Sequence, residues 1–349
     1  MYMKTKNLLI ALTMTTAMTA MSACSNNENE PQVVDITKPI EIDFGIGQAA
    51  VTTQTRMTPA TPGADGQTDK WASTDQVSVT IASKTGTESG EVSLTDNTYK
   101  ATTTFEMNGS WALASSAKAI YWQDTQYIHT FYAYYPTSAN LGTGSGNDLI
   151  IDLPTDNSAT PTCIDNSTLA KLNECNILFG KASMKATTSV EIGMSHSMSQ
   201  IYFTVEPGDG YNTNGTDMPT IASAEILSAS GLSVGGTFDP NNGKVTADAA
   251  VAGAKSIKPY RKTGNHWFAV VMPGQTFSKG KELIRFTTND GTTYTYTLDT
   301  EGDITCAANK SYNFTLKLNK KSVTLGSFNV EAWDKENKKG EAGMDIPNP

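Results

Sequence analysis

Three histidines, four cysteines and three arginines are the scarce, chemically specific residues of this 349-residue chain. His129 lies in an aromatic stretch, His196 in Met194-Ser195-His196-Ser197-Met198, and His266 at the start of an apolar run. No two have the spacing of metal ligands, and none stands in a nucleophile arrangement. Ser195 beside His196 does not make a hydrolase, because adjacency in sequence does not bring a serine hydroxyl onto the neighbouring ring. A histidine tying down a turn is the expected role. The phosphate-binding, dinucleotide-binding and EF-hand patterns are all missing from the sequence. Asp239-Pro240-Asn241-Asn242-Gly243 offers oxygen ligands for calcium but lacks the later glutamate, and reads as a turn. Paired carboxylates for glycoside hydrolysis would meet in space rather than in sequence, and no two stand out. The expectation is a protein that is not an enzyme, with no catalytic residue, cofactor or metal.

Two further sets of residues leave alternatives open. Cys163 and Cys175 are close enough in sequence to pair, which would leave Cys306 alone as a small buried residue. The odd count without a C-x-x-C argues against a disulfide framework or a zinc site. Trp122, Tyr127, Phe131, Tyr132, Tyr134 and Tyr135 could form a platform for sugar rings. Alternating aromatics in a strand are more often core on one face and interstrand packing on the other, and that reading is preferred.

The elements that must position these residues read almost entirely with period two. Val77, Val79 and Ile81 alternate with Gln76, Ser78 and Thr80. Leu149-Ile150-Ile151-Asp152-Leu153 is stopped by Pro154. Ile201, Phe203 and Val205 share a face, as do Ala222, Ala224 and Ile226. His266, Phe268, Val270 and Met272 oppose Trp267, Ala269 and Val271, which predicts a strand covered on both sides. Asn289-Asp290-Gly291 predicts a hairpin. Tyr312, Phe314, Leu316 and Leu318 alternate with Asn313, Thr315 and Lys317. In the last patterned stretch Val323 and Leu325 are out of phase with Phe328 and Val330, so a bulge or kink is expected at Gly326-Ser327. Residues 165–174 are the one plausible short helix of the first half, capped by Asp165 or Ser167. Many short strands with few helices predict an all-β chain, and the length predicts two sandwiches in series.

Bulk properties agree. Charged residues are only 17% of the chain, and the 38% hydrophobic content suffices for cores. The formal net charge of −9 argues against nucleic acid as a partner, because such a surface has little with which to displace counterions from phosphates. At the start, Lys4 and Lys6 precede a moderately apolar stretch over residues 8–20, diluted by threonines and too short to span a membrane. Met21-Ser22-Ala23-Cys24 resembles the lipobox of bacterial lipoproteins, in which the cysteine is acylated, as with palmitate, and becomes the first residue after cleavage. The acidic tether Ser25-Asn26-Asn27-Glu28-Asn29-Glu30-Pro31 resembles the export signal of surface lipoproteins of the Bacteroidetes. The expected organisation is a signal peptide over 1–23, a tether over 24–40, β-sandwiches over 41–182 and 183–333, and a polar tail over 334–349.

Several features occur in a telling order: Cys24 in its lipobox; a strand-like 41–50 before Arg56; Trp71-Ala72-Ser73-Thr74-Asp75-Gln76-Val77; Phe131-Tyr132-Ala133-Tyr134-Tyr135-Pro136; Ser195-His196-Ser197-Met198-Ser199-Gln200-Ile201; Asn309-Lys310-Ser311-Tyr312; and Val330-Glu331-Ala332-Trp333. Together they resemble the fimbrillin-like proteins of Bacteroidetes, the subunits and minor components of type V pili. The resemblance implies two transthyretin-like β-sandwiches and export as a lipoprotein to the outer membrane, held there by acylated Cys24. It also implies cleavage by an arginine-specific protease, for which Arg56 in the Thr/Pro/Gly-rich 52–66 is the accessible candidate, leaving Met57 first. Loss of a strand containing Ile42, Phe44 and Ile46 would open a groove for a donor strand from another pilus subunit. Val323, Leu325, Phe328 and Val330 form the best donor here. Alternatively, 323–333 is only the last strand of its own domain. The protein would then be an anchor or tip component, or a surface lipoprotein that binds a host glycan or protein without polymerising.

Overall fold

A computed structural model describes residues 43–45, 75–85, 91–93, 102–107, 110–122, 127–137, 141–145, 148–156, 160–186 and 189–333. Among them the chain is all β apart from one short helix. A seven-stranded antiparallel sheet organises the first core. It runs in the order Met194–His196, Leu178–Met184, Ile128–Tyr135, Gln76–Thr85, Thr102–Met107 and Trp111–Leu113, with Glu91–Ser93 paired beside Gln76–Thr85. The alternation read from the sequence is visible here: Val77, Val79 and Ile81 are all fully buried, packed with Phe131, Ala133, Val190, Ile192 and Met194.

The second core lies between two five-stranded sheets. One runs Tyr260–Thr263, His266–Val271, Ser199–Pro207, Lys310–Leu318 and Val323–Ala332. The other runs Thr293–Thr297, Glu282–Thr288, Ile221–Leu227, Ser256–Lys258 and Cys163–Asp165. Ile201, Phe203, Tyr312, Phe314 and Leu316 from the first meet Ile226, Ile284, Phe286 and Tyr296 from the second in a single cluster. His266–Val271 is buried along its length after His266, as its double apolar pattern predicts. Tyr312, Phe314, Leu316 and Leu318 are buried while Asn313, Thr315 and Lys317 are half-exposed, a strand with one face to the core.

The division between the cores does not follow the chain. Strand Leu149–Asp152, strand Cys163–Asp165 and helix Leu169–Glu174 precede residue 183, yet Ile151, Ile164 and Leu172 pack in the second core. Met194–His196 follows residue 183 and pairs in the first sheet. The strand Ile128–Tyr135 feeds both: Phe131 and Ala133 enter the first core, while Tyr134 lies 5.7 Å, ring to ring, from Phe238 of the second. This opposition follows from successive side chains pointing to opposite faces of a strand, and the aromatics here are core and packing on two faces.

Two local expectations are corrected, and one open question is answered. The helix spans Leu169–Glu174, shorter than the 165–174 expected, and Thr168 caps it through Oγ1, which accepts from Lys171 N. Asp165 cannot cap it because it belongs to a strand and its carboxylate already accepts from Ser167 and Lys171. Ala222 is exposed rather than sharing the buried face of Ala224 and Ile226, because the register with Glu282–Thr288 shifts between Ile221 and Ser223. Cys163, Cys175 and Cys306 are all buried free thiols, so the bridge that spacing left open does not form. Cys175 instead donates to Lys171 O (3.2 Å) and accepts from Asn166 Nδ2 (3.1 Å).

Candidate functional site

The histidines do not converge. His129 is buried in the strand Ile128–Tyr135, with its ring edge-on to Trp122 at 5.2 Å. His266 is exposed at its strand end, with Nδ1 2.6 Å from the Tyr202 hydroxyl. Burial, aided by the negative charge of Glu206, pushes the Tyr202 phenol up to about 12. Burial and the nearby Lys262 move His266 below its ordinary value. Both shifts favour the neutral forms, consistent with a hydrogen bond between an uncharged phenol and an uncharged imidazole. His196 is buried, with Nδ1 2.8 Å from Asn176 Oδ1 and its ring stacked on Trp333. Its role is structural, as expected: the ring joins Asn176 to Trp333.

The turn 239–243 uses its oxygens internally. Asp239 accepts from Asn241 N and Nδ2 (both 2.9 Å) and from Asn242 Nδ2 (2.6 Å), and Gly243 N donates to Asp239 O (2.9 Å). Gly243 adopts φ +73°, and a Cβ there would lie 2.4 Å from the ring of Phe179.

Two surfaces carry the candidate assembly residues. The first is the short strand Asp43–Gly45, which runs parallel to Ser189–Glu191 with Phe44 opposite Val190. Val190 and Ile192, two residues on, are completely buried and belong to the first core. Cys24, Ile42, Ile46, Arg56 and Met57 lie outside the described residues.

The second surface is the strand Val323–Ala332, the edge of its five-stranded sheet. It pairs antiparallel with Lys310–Leu318, and the register shifts so that Ser327 faces Thr315 while Leu325 faces Leu316. Gly326 is the extra residue, a bulge where the change of phase requires one. In consequence Val323, Leu325, Phe328 and Val330 face Leu318, Leu316, Phe314 and Tyr312, all on the core side. They are not deeply buried. Val323, Leu325 and Phe328 are half-buried against the core, and Val330 is 46% exposed. On the other face Asn313 Nδ2 donates to Glu331 Oε1 (2.9 Å). Only Trp333, immediately beyond the strand, is a buried side chain of this segment. Sequence reasoning singled out neither Trp333 as an anchor nor Asn176 as the partner of His196. Asn176 is a single polar residue before an apolar run and Trp333 falls off the face shared by Phe328 and Val330, so only contact with distant strands gives them a role.

Of the sugar-platform aromatics, Tyr135 borders a surface hollow of about 430 Å³. Pro136, Leu141 and Ile150 supply its apolar wall, and Asp152, Asn173 and Glu174 its polar rim. A second hollow of about 360 Å³ is lined by charged residues including Glu225, Lys255, Lys281 and Arg285. Arg285 is held by Glu282 at 2.9 Å.

Residues 55–333 match the model of a family described as fimbrillin-like. No curated protein sequence matches the chain. Among solved structures, a candidate cell adhesion protein of Bacteroides uniformis ATCC 8492 superposes with a TM-score of 0.56 at 14% identity, covering 84% of this chain and 99% of that one. A candidate cell adhesion protein of Bacteroides ovatus ATCC 8483 gives a TM-score of 0.55 at 19% identity, covering 86% of this chain and 99% of that one. At such identities these two likenesses speak to the fold.

Proposed function

The chain belongs to the fimbrillin-like family, and from that premise we propose that it is a structural and adhesive pilus subunit at the cell surface, assembled by exchange of β-strands. It would be exported as a lipoprotein acylated at Cys24 and cut after Arg56, so that the assembled subunit begins at Met57. Cleavage removes the strand that carries Ile42, Phe44 and Ile46. Ser189–Glu191, which carries the buried Val190, then loses its parallel neighbour. Unpaired ladder groups beside an apolar core attract an incoming strand, since it restores hydrogen bonds and burial together. Three apolar side chains add roughly 1.5–3 kcal/mol each when fully buried.

The observation that carries this reading is the strand Val323–Ala332. It presents Val323, Leu325, Phe328 and Val330 on one face, yet at the edge of its own sheet those side chains remain half-buried or exposed. Such a strand has burial still to gain by moving into a groove of another subunit. Mass spectrometry of the surface protein tests the proposal: an assembled subunit begins at Met57, and Arg56→Ala remains a monomeric precursor. Polymers formed by Arg56→Ala, or a surface protein that still begins at acylated Cys24, would overturn it.

A second reading is supported by the hollow beside Tyr135. An aromatic ring with a carboxylate and amide rim suits the apolar faces and hydroxyls of a neutral sugar. In that case the protein is an anchor or a permanently tethered lipoprotein that binds a host glycan or protein, and Cys24 is retained.

A further inference from the structure

The terminal strand is pinned at one point. Trp333 is 7% exposed, whereas Val330 three residues earlier is 46% exposed. The Trp333 indole lies parallel to the His196 imidazole, at an interplanar angle of 2° with centroids 3.8 Å apart. Trp333 N donates to Asn309 O (2.9 Å), and Asn309 N donates to Met198 O (2.8 Å), so the backbone fastens the same junction. Asn176, itself fully buried, holds the far side of the imidazole.

His196 is also close in sequence to the other candidate surface. It ends the strand Met194–His196, which Ile192-Gly193 alone separates from Ser189–Glu191. Those two linking residues have little slack: Ile192 is fully buried, and the Gly193 carbonyl would lie 2.4 Å from a Cβ at Gly180. Ser189–Glu191 pairs with Asp43–Gly45. One stiff segment, 189–196, therefore holds the first strand at one end and the clasp on Trp333 at the other.

We propose that this segment couples the two: the seated first strand keeps His196 placed to clasp Trp333, and loss of that strand loosens the clasp and with it the strand Val323–Ala332. Close packing makes the contact bistable rather than elastic, because a shift of about an ångström in the stack forfeits much of its attraction. With Trp333 withdrawn, the strand Val323–Ala332 keeps its ladder to Lys310–Leu318, three half-buried side chains and the side-chain hydrogen bonds of Thr324 and Glu331, with no fully buried side chain among its own described residues. The unprocessed chain is thus closed on itself at both ends through one device. The use made of the released strand rests on the assembly reading above; the clasp does not.

Hydrogen exchange of the full-length chain tests it without cleavage or polymerisation. Trp333→Ala is expected to speed exchange of amides 323–332 by roughly tenfold or more while leaving 76–85 unchanged. Phe44→Asp, which places a charge at the register position opposite buried Val190, is expected to speed exchange in 189–191 and also in 323–332. The double variant is expected to match the faster single one. Phe44→Ser is the gentler substitute if the aspartate prevents folding. Faster exchange in 189–191 with 323–332 unaffected would overturn the coupling. Equal acceleration of 76–85 and 323–332 by Trp333→Ala would overturn the clasp, making Trp333 an ordinary core residue. If the coupling holds but the surface protein retains Cys24, the assembly reading fails and the clasp stands.

Discussion

Two single-residue deletions in the strand Val323–Ala332 should differ sharply in their cost. Gly326 is the residue with no partner in the ladder, so deleting it leaves Ser327 opposite Thr315 and Leu325 opposite Leu316. The remaining series Val323-Thr324-Leu325-Ser327-Phe328-Asn329-Val330 then alternates without interruption. No apolar contact is lost, and stability should change by less than about 1 kcal/mol. Deleting Asn329 instead forces a choice. If 323–328 keep their pairing, Val330 turns to the polar face and Trp333 is drawn off His196, where loss of a buried tryptophan is of the order of 3–5 kcal/mol. If 330–333 keep their places, Val323, Leu325 and Phe328 turn outward. Half-burial of three side chains, against about 1.5–3 kcal/mol for full burial of each, amounts to roughly 2–4 kcal/mol. Either route destabilises by at least about 2 kcal/mol. Urea unfolding of the two purified variants, followed by tryptophan fluorescence, measures the difference. A Gly326 deletion that loses as much as the Asn329 deletion, or an Asn329 deletion that loses nothing, would refute the assigned register.

Gly243→Ala should destabilise by about 1–3 kcal/mol, because φ +73° disfavours a side chain and the new Cβ meets the Phe179 ring at 2.4 Å; an unchanged thermal midpoint would contradict this. Asp165 provides a pH prediction. Burial raises its pKa, but hydrogen bonds from Lys171 and Ser167 outweigh it and bring the carboxyl to about 2, against 3.8 for the free group. A folded pKa below the unfolded one gives stability that is present above about pH 4 and is lost as pH falls through about 2. The gap in unfolding free energy between the wild type and Asp165→Asn should therefore be about 1–2 kcal/mol near pH 5 and should close by about pH 2, after allowance for solvent screening. A gap that stays constant with pH would show that the ion pair is not its source.

Much of the strand content was legible because burial on one face imposes period two on the sequence. Residues 312–318 and 76–81 follow that period, and 266–272 show the double pattern of a strand covered on both sides. The bulge was legible too, since a change of phase between Leu325 and Phe328 cannot share one face without an extra residue. Ala222 misled because a register shift in the pairing with Glu282–Thr288 leaves no mark in its own sequence. Thr168 was missed as a cap because Asp165 and Ser167 are equally good capping residues, and only their engagement with each other excludes them.

The sequence by itself determined an all-β chain, the positions of most strands and turns, the placement of Gly326, and the family's ordered motifs. Which strands lie side by side was decided only in three dimensions. Ser199–Pro207 takes Lys310–Leu318 as a parallel neighbour, with Ser311 Oγ on Gln200 Oε1 across 111 residues of sequence. Every strand edge offers the same N–H and C=O groups, so the backbone cannot name its partner; complementary side-chain packing does. For the same reason His196 and Trp333 stood in the sequence as two unrelated motifs. Folding stacks them face to face and ties Trp333 to the strand Met194–His196 of the seven-stranded sheet.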